Sequence, residues 1–174
     1  MTQTDSMVSR RLAALENREA ARLTLSRYMD LCDVPREKAT TAQDLAEIFT
    51  DDAVWEGTGP EYGRKFGSVK GRPAIIAMLM SYLPPARHFT TNIHVLGEAS
   101  IHSENDHHAT GFWMMQQISE YCDGQREIVA ARLTVDFTLV RGIARINHFR
   151  TQKLLTQALG TRTHLPTNHN LISN

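Results

Sequence analysis

Polar and apolar side chains alternate along the second half of this chain. Between Arg87 and Val95, Phe89, Ile93 and Val95 point one way, and His88, Thr90, Asn92 and His94 point the other. A strand with one apolar face and one face of imidazole, hydroxyl and amide either is solvated or lines a polar pocket. Further on, residues 98–103 and 109–121 read as two strands joined by the polar turn 104–108, and Asp123-Gly124 is a hairpin signal. Leu133, Val135, Phe137 and Leu139 alternate with Arg132, Thr134, Asp136 and Thr138, and Arg141-Gly142 turns the chain into a last strand over about residues 143–152.

The first half has helical spacing instead. Ala14, Ala21, Leu25, Tyr28 and Cys32 form one stripe, widened by Leu12, Leu15 and Met29, which predicts a helix from Arg10 to Asp33. Pro35 stops it, because the residue before a proline avoids the helical region. Thr41 to Asp44 resembles a capping box and predicts a second helix through Leu45, Ile48 and Phe49. Asp51 to Glu56 then reads as a turn into a short strand, and residues 57–71 as a loop or edge hairpin. Arg72-Pro73 opens a third helix with Ile75, Ile76, Leu79 and Met80 as its apolar positions, and Pro84-Pro85 ends it.

Helices followed by a run of antiparallel strands define an α+β domain, with three N-terminal helices packed on a curved, mostly antiparallel sheet. A sheet curled and closed by helices leaves a cone-shaped pocket suited to a small molecule. Residues 1–174 read as a single domain, with extended tails at 1–8 and 160–174.

Composition narrows the function. Nineteen basic residues balance nineteen acidic ones, which argues against an electrostatic nucleic-acid or membrane partner. No apolar run approaches the length of a membrane span, and Met1 to Ser9 carry no secretory apolar core. The two cysteines, Cys32 and Cys122, form no motif, so a reduced, cytoplasmic protein is expected. His102, His107 and His108 surround Glu104 and Asp106, but their spacing matches no strong zinc pattern, and no metal is expected.

Asp33 closes a helix at the end where the macrodipole disfavours an acid, and a broken local rule marks a place to look for function. If that carboxylate orients His88, the pair would act as a general base. Tyr28, five residues before Asp33, either donates to a substrate oxygen or belongs to the core with its hydroxyl at the rim. Trp55, Phe112, Trp113, Met114 and Met115 are candidates for an apolar ligand cavity, with core packing as the default reading. Asn92 shares the polar face and either orients a ligand or satisfies backbone groups. Arg132, at a polar position of a central strand, would need a carboxylate or an anionic ligand if buried.

These pieces occur in a recognisable order. Arg27-Tyr28 and Asp33 come first, then the run from Leu45 to Trp55, then Lys70-Gly71-Arg72-Pro73, then Arg87-His88-Phe89 with Asn92. Over most of residues 10–153 the chain resembles the SnoaL-like branch of the NTF2-like (cystatin-like cone) superfamily. In that branch, scytalone dehydratase and hexachlorocyclohexane dehydrochlorinase use an Asp–His dyad, and Asp33 and His88 fall on the matching positions. The resemblance implies a cofactor-independent lyase or isomerase, dehydratase-like, in which His88 abstracts a proton from a hydrophobic cyclic substrate and Asp33 stabilises the charged imidazole. Tyr28, Trp55, Asn92, Trp113, Met115 and Arg132, read from the residues above, are the candidates for contacts to that substrate. It also implies self-association into a dimer or trimer. The alternative is a non-catalytic ligand-binding or assembly module, like the β subunit of ring-hydroxylating dioxygenases. Two features depart from the pattern: the segment Val34 to Thr40 is long, and the hairpin Val140 to Arg145 lacks the D-G-x-W turn.

Overall fold

The computed structural model describes residues 3–161. Four helices and seven strands follow one another as α1 (Gln3–Cys32), α2 (Ala42–Ala46), β1 (Phe49–Thr58), α3 (Gly59–Lys65), β2 (Ser68–Lys70), α4 (Arg72–Met80), β3 (Phe89–Leu96), β4 (Ser100–Asn105), β5 (His108–Tyr121), β6 (Gln125–Val140) and β7 (Ile143–Thr161). The strands form one sheet in the order β2-β1-β7-β6-β5-β3, with β4 also paired to β5. All pairings are antiparallel except β1 with β7.

Local chemistry explains most of the boundaries. Thr41 caps α2 through a reciprocal box: its hydroxyl accepts from the Asp44 N–H at 3.2 Å while its own N–H donates to Asp44 Oδ2 at 2.9 Å. Arg141 and Gly142 both take positive φ (53° and 77°), the geometry a two-residue hairpin needs to match strand twist.

Several expectations are corrected. Among the described residues there are four helices, not three: α3 occupies part of the stretch expected to be loop. Pro60 sits in its first turn with Glu61, and Arg64 and Lys65 sit in its last, so both ends complement the macrodipole. Phe49, expected in the second helix, opens β1 and is fully buried. α1 begins at Gln3, so residues 3–8 are helical and not an extended tail. Leu12 and Leu15 do not widen the buried stripe; they are 54% and 60% exposed, and α1 is covered only from Asn17 onward. β7 runs on to Thr161, because it pairs with β6 as far as Gln125. The rest of the expected C-terminal tail lies outside the described residues.

The core sits between the helices and the concave face of the sheet. Leu25, Tyr28 and Met29 of α1 meet Leu133, Val135, Phe137 and Leu139 of β6 and Ile146 and Phe149 of β7. Each fully buried side chain of this size contributes about 1.5–3 kcal/mol, so this layer dominates stability. The convex face carries Ile93, Val95, Phe112 and Met114, all exposed. Among the described residues, no helix is long and apolar enough to cross a membrane.

Candidate active site

One end of the core is hollow. A cavity of about 560 Å³ lies between the sheet and the helices, walled by side chains of α1, β1, α3, α4, β3, β5, β6 and β7. Tyr28, Trp55, Phe66 and Phe149 supply much of its apolar wall. Trp55 stacks on Phe149 (centroids 5.5 Å apart), and its indole N–H donates to the Tyr28 hydroxyl at 3.0 Å. Tyr28 is therefore a core residue at the cavity wall, and burial pushes its phenol pKa well up.

Just beyond the end of α1 the chain pairs with β3. Val34 forms a two-way antiparallel bridge with Asn92: Val34 N–H donates to Asn92 O at 2.8 Å, and Asn92 N–H to Val34 O at 2.7 Å. The Asn92 amide adds a bond from Nδ2 to Cys32 O at 3.3 Å, partnering a carbonyl at the end of the helix. Strand β3 thus grips residues 32 and 34, and Asp33 between them is aimed along the strand. Its Oδ1 accepts from the backbone N–H of His94 at 2.9 Å and meets His94 Nδ1 at 2.8 Å. The His94 side chain is 10% exposed and that of Asp33 27%.

A carboxylate only accepts, so the shared hydrogen sits on His94 Nδ1. The other ring nitrogen, Nε2, then carries the lone pair, and the ring lines the cavity. The carboxylate thus fixes which ring nitrogen is turned toward Asp33 and which is left for other contacts.

The expected partner of Asp33 was His88, and that pairing is corrected. His88 precedes His94 by six positions, a distance of up to about 20 Å along an extended strand. It sits instead among the rings of Tyr82, Phe89 and Tyr121, with centroids 4.9, 4.4 and 5.4 Å away. Burial, then the nearby Lys65, lowers its pKa. The register of β3 on β5 also slips between Phe89 and Thr91, so the alternation read from the sequence does not hold across that point. Both histidines line the cavity, but Asp33 orients His94.

The other candidates divide. Trp55, Met115 and Asn92 line the cavity. Asn92 is 4% exposed and its amide is committed to protein partners, so it holds the site together. Trp113 lies in the core against Phe137 and does not reach the cavity. Arg132 points to the convex face, exposed and opposite Met114, away from any buried ligand. Alternation explains both outcomes, since Met115 and Trp113 face inward while Arg132 belongs to the other face.

Sequence reasoning passed over Gln117, Ser119, Tyr121 and Glu127. Three of them continue the inward series of β5 begun by Trp113 and Met115, and that period of two was the signal that would have found them. Tyr121 donates to Glu127 Oε1 at 2.5 Å, and burial together with that carboxylate pushes its phenol pKa up. Lys153 pairs with Glu61 beside the ring of Tyr62, whose pKa burial pushes up to about 12. Among the described residues, no group of three or more His, Cys, Asp and Glu is placed to hold a metal ion.

A curved sheet backed by helices, with an Asp–His pair on the wall of an aromatic cavity, is an architecture of the cystatin-like fold. The chain belongs to the SnoaL-like domain family, whose model matches residues 13–150. Solved structures share the fold. The LinA-type3 hexachlorocyclohexane dehydrochlorinase of Novosphingobium barchaimii is 18% identical with a TM-score of 0.70, covering 89% of this chain and 98% of its own. A scytalone dehydratase-like protein of Novosphingobium aromaticivorans is 16% identical with a TM-score of 0.66, covering 87% and 93%. An NTF2-like protein with a cystatin-like fold from the same organism is 24% identical with a TM-score of 0.63, covering 88% and 90%. No curated protein matches the chain.

Proposed function

We propose that this protein is a cofactor-independent lyase or isomerase of the dehydratase-like kind, acting on a hydrophobic cyclic small molecule with an Asp33–His94 dyad as its base. The observation that carries the reading is the 2.8 Å contact of Asp33 Oδ1 with His94 Nδ1 on the wall of an aromatic cavity of about 560 Å³. His94 Nε2 takes a proton from carbon, and Asp33 stabilises the imidazolium. The C–H electron pair then forms a double bond to the neighbouring carbon as that carbon's leaving group departs with its own bonding pair. In an isomerisation the proton is instead returned at another carbon. The kinship with dehydrochlorinase and dehydratase-like structures supports this class of chemistry. The test is proton exchange and elimination on a panel of substituted ring compounds in D2O, followed by NMR. Turnover is expected in the native protein and to be lost in His94→Ala; equal turnover in that variant excludes the dyad as base.

A second reading rests on a different observation. Ile93, Val95, Phe112 and Met114 are exposed together on the convex sheet face, and an apolar patch of that kind suits association. It supports self-association into a dimer or trimer, or an assembly role like that of a dioxygenase β subunit. Light scattering of the native protein and a Phe112→Asp/Met114→Asp variant tests it: a monomer in both removes this reading.

A further inference from the structure

A small knot of polar side chains on the concave sheet face determines which atom each member shows to the cavity. The chain of constraint begins at a backbone carbonyl. Cys32 O only accepts, so the Asn92 atom 3.3 Å from it is the amide nitrogen. Asn92 Oδ1 is therefore turned toward β5, where it accepts from Gln117 Nε2 at 2.8 Å and from the Ser119 hydroxyl at 2.9 Å. Gln117 Nε2 also donates to Ser119 Oγ at 3.2 Å. Gln117 thereby commits its amide nitrogen to Asn92 and Ser119, and its amide oxygen is turned away from them. Its Oε1 has no partner among the described residues, and Gln117 lines the cavity as the register neighbour of His94.

A carbonyl oxygen held in this way is an acceptor that cannot rotate into a donor. A ligand that displaces water from it without supplying an O–H or N–H leaves it unsatisfied, and sites built on such a group discriminate strongly against analogues lacking the donor. We infer that the cavity takes a ring compound whose hydroxyl group donates to Gln117 Oε1, which makes Gln117 the residue that selects hydroxylated rings over halogenated rings of similar size. The inference rests on the cavity being the substrate site, as proposed above, but not on His94 acting as a base.

Isothermal titration of the full chain with 2-naphthol and 2-chloronaphthalene separates the two. The native protein is expected to bind the naphthol about tenfold more tightly, the fold-change of one net hydrogen bond. That preference is expected to vanish in Gln117→Met and to persist in His94→Ala, where a loss of turnover would concern the dyad alone. No preference in the native protein, or a preference that survives Gln117→Met, overturns the assignment. A crystal structure of the native protein with 2-naphthol gives a readout that needs no variant to fold. The naphthol oxygen is expected within about 3.2 Å of Gln117 Oε1, and a hydroxyl bound elsewhere overturns the assignment.

Discussion

Asp33 holds His94 twice with one oxygen: Oδ1 accepts the backbone N–H of His94 at 2.9 Å and meets its Nδ1 at 2.8 Å. The backbone bond ties the carboxylate to the strand, so the imidazole contact does not depend on side-chain rotamers alone. An acid at the unfavourable end of a helix is thereby offset by two N–H donors.

The two cavity histidines are expected to behave differently. Removing a positioned base typically costs about 10²–10⁴ in rate. His94→Ala should lower kcat by that order with little change in KM. His88→Ala should mainly raise KM, since His88 packs among aromatic rings and has no carboxylate partner at Asp33. Steady-state kinetics on any compound the protein turns over checks this, and the reverse split would reassign the base.

Asp33→Asn keeps the shape of the contact but removes the charge and offers an N–H in place of one oxygen. The amide can then present a donor to Nδ1, which moves the ring hydrogen to Nε2. Nitrogen-15 NMR of His94 should show the Nδ1–H tautomer in the native protein and a growing Nε2–H share in the variant. An unchanged tautomer would mean that the carboxylate does not orient the ring.

Asn92→Leu removes the side-chain bond to Cys32 O and strands the donors of Gln117 and Ser119 in a buried setting. Each buried group left without a partner costs about 1–3 kcal/mol, so a loss of at least about 2 kcal/mol is expected. Urea unfolding measures it, and a midpoint equal to the native one would show that the amide is not a clamp.

Gly111 marks a close approach. A Cβ there would stand 2.2 Å from Trp113 Cη2 and 2.3 Å from Cζ3, against a ring that is itself in the core. Gly111→Ala must displace the indole, and overpacking of this kind costs about 1–3 kcal/mol. Thermal unfolding should show a clear drop in Tm for Gly111→Ala; no drop would mean that the indole has room to move.

His88 gives a pH dependence of known sign. Burial and then Lys65 lower its pKa, with Asp123 opposing. Above the ordinary histidine value of about 6.5, neither the folded nor the unfolded chain is protonated there, and the residue contributes nothing. As pH falls through that value the unfolded chain takes up the proton first, and stability is lost until pH passes below the folded-state value. Urea midpoints at about pH 7.5 and about pH 5.5 should therefore differ less in His88→Gln than in the native protein. An equal difference in the two proteins would show that His88 does not contribute.

Much of the fold was legible from local rules. The Thr41–Asp44 box, the Pro73 helix start and the Arg141-Gly142 turn all stand where short-range chemistry put them. Alternation along β6 and β5 located the core side of the sheet, with Leu133, Val135, Trp113 and Met115 inside. The short helix α3 was missed although Gly59-Pro60 announced it, because seven residues carry too little periodicity to outweigh the five glycines of residues 57–71.

For the site, the sequence by itself determined that Asp33 is out of place at a helix end and that two histidines, His88 and His94, lie among the polar positions of one short stretch. Only the tertiary structure decided which histidine Asp33 meets. That choice depends on the bridge between Val34 and Asn92, a contact between residues far apart in the chain, and on a register slip at the start of β3. Local propensity acts over a few residues and is blind to both, whereas strand pairing places a side chain to within one residue along its partner.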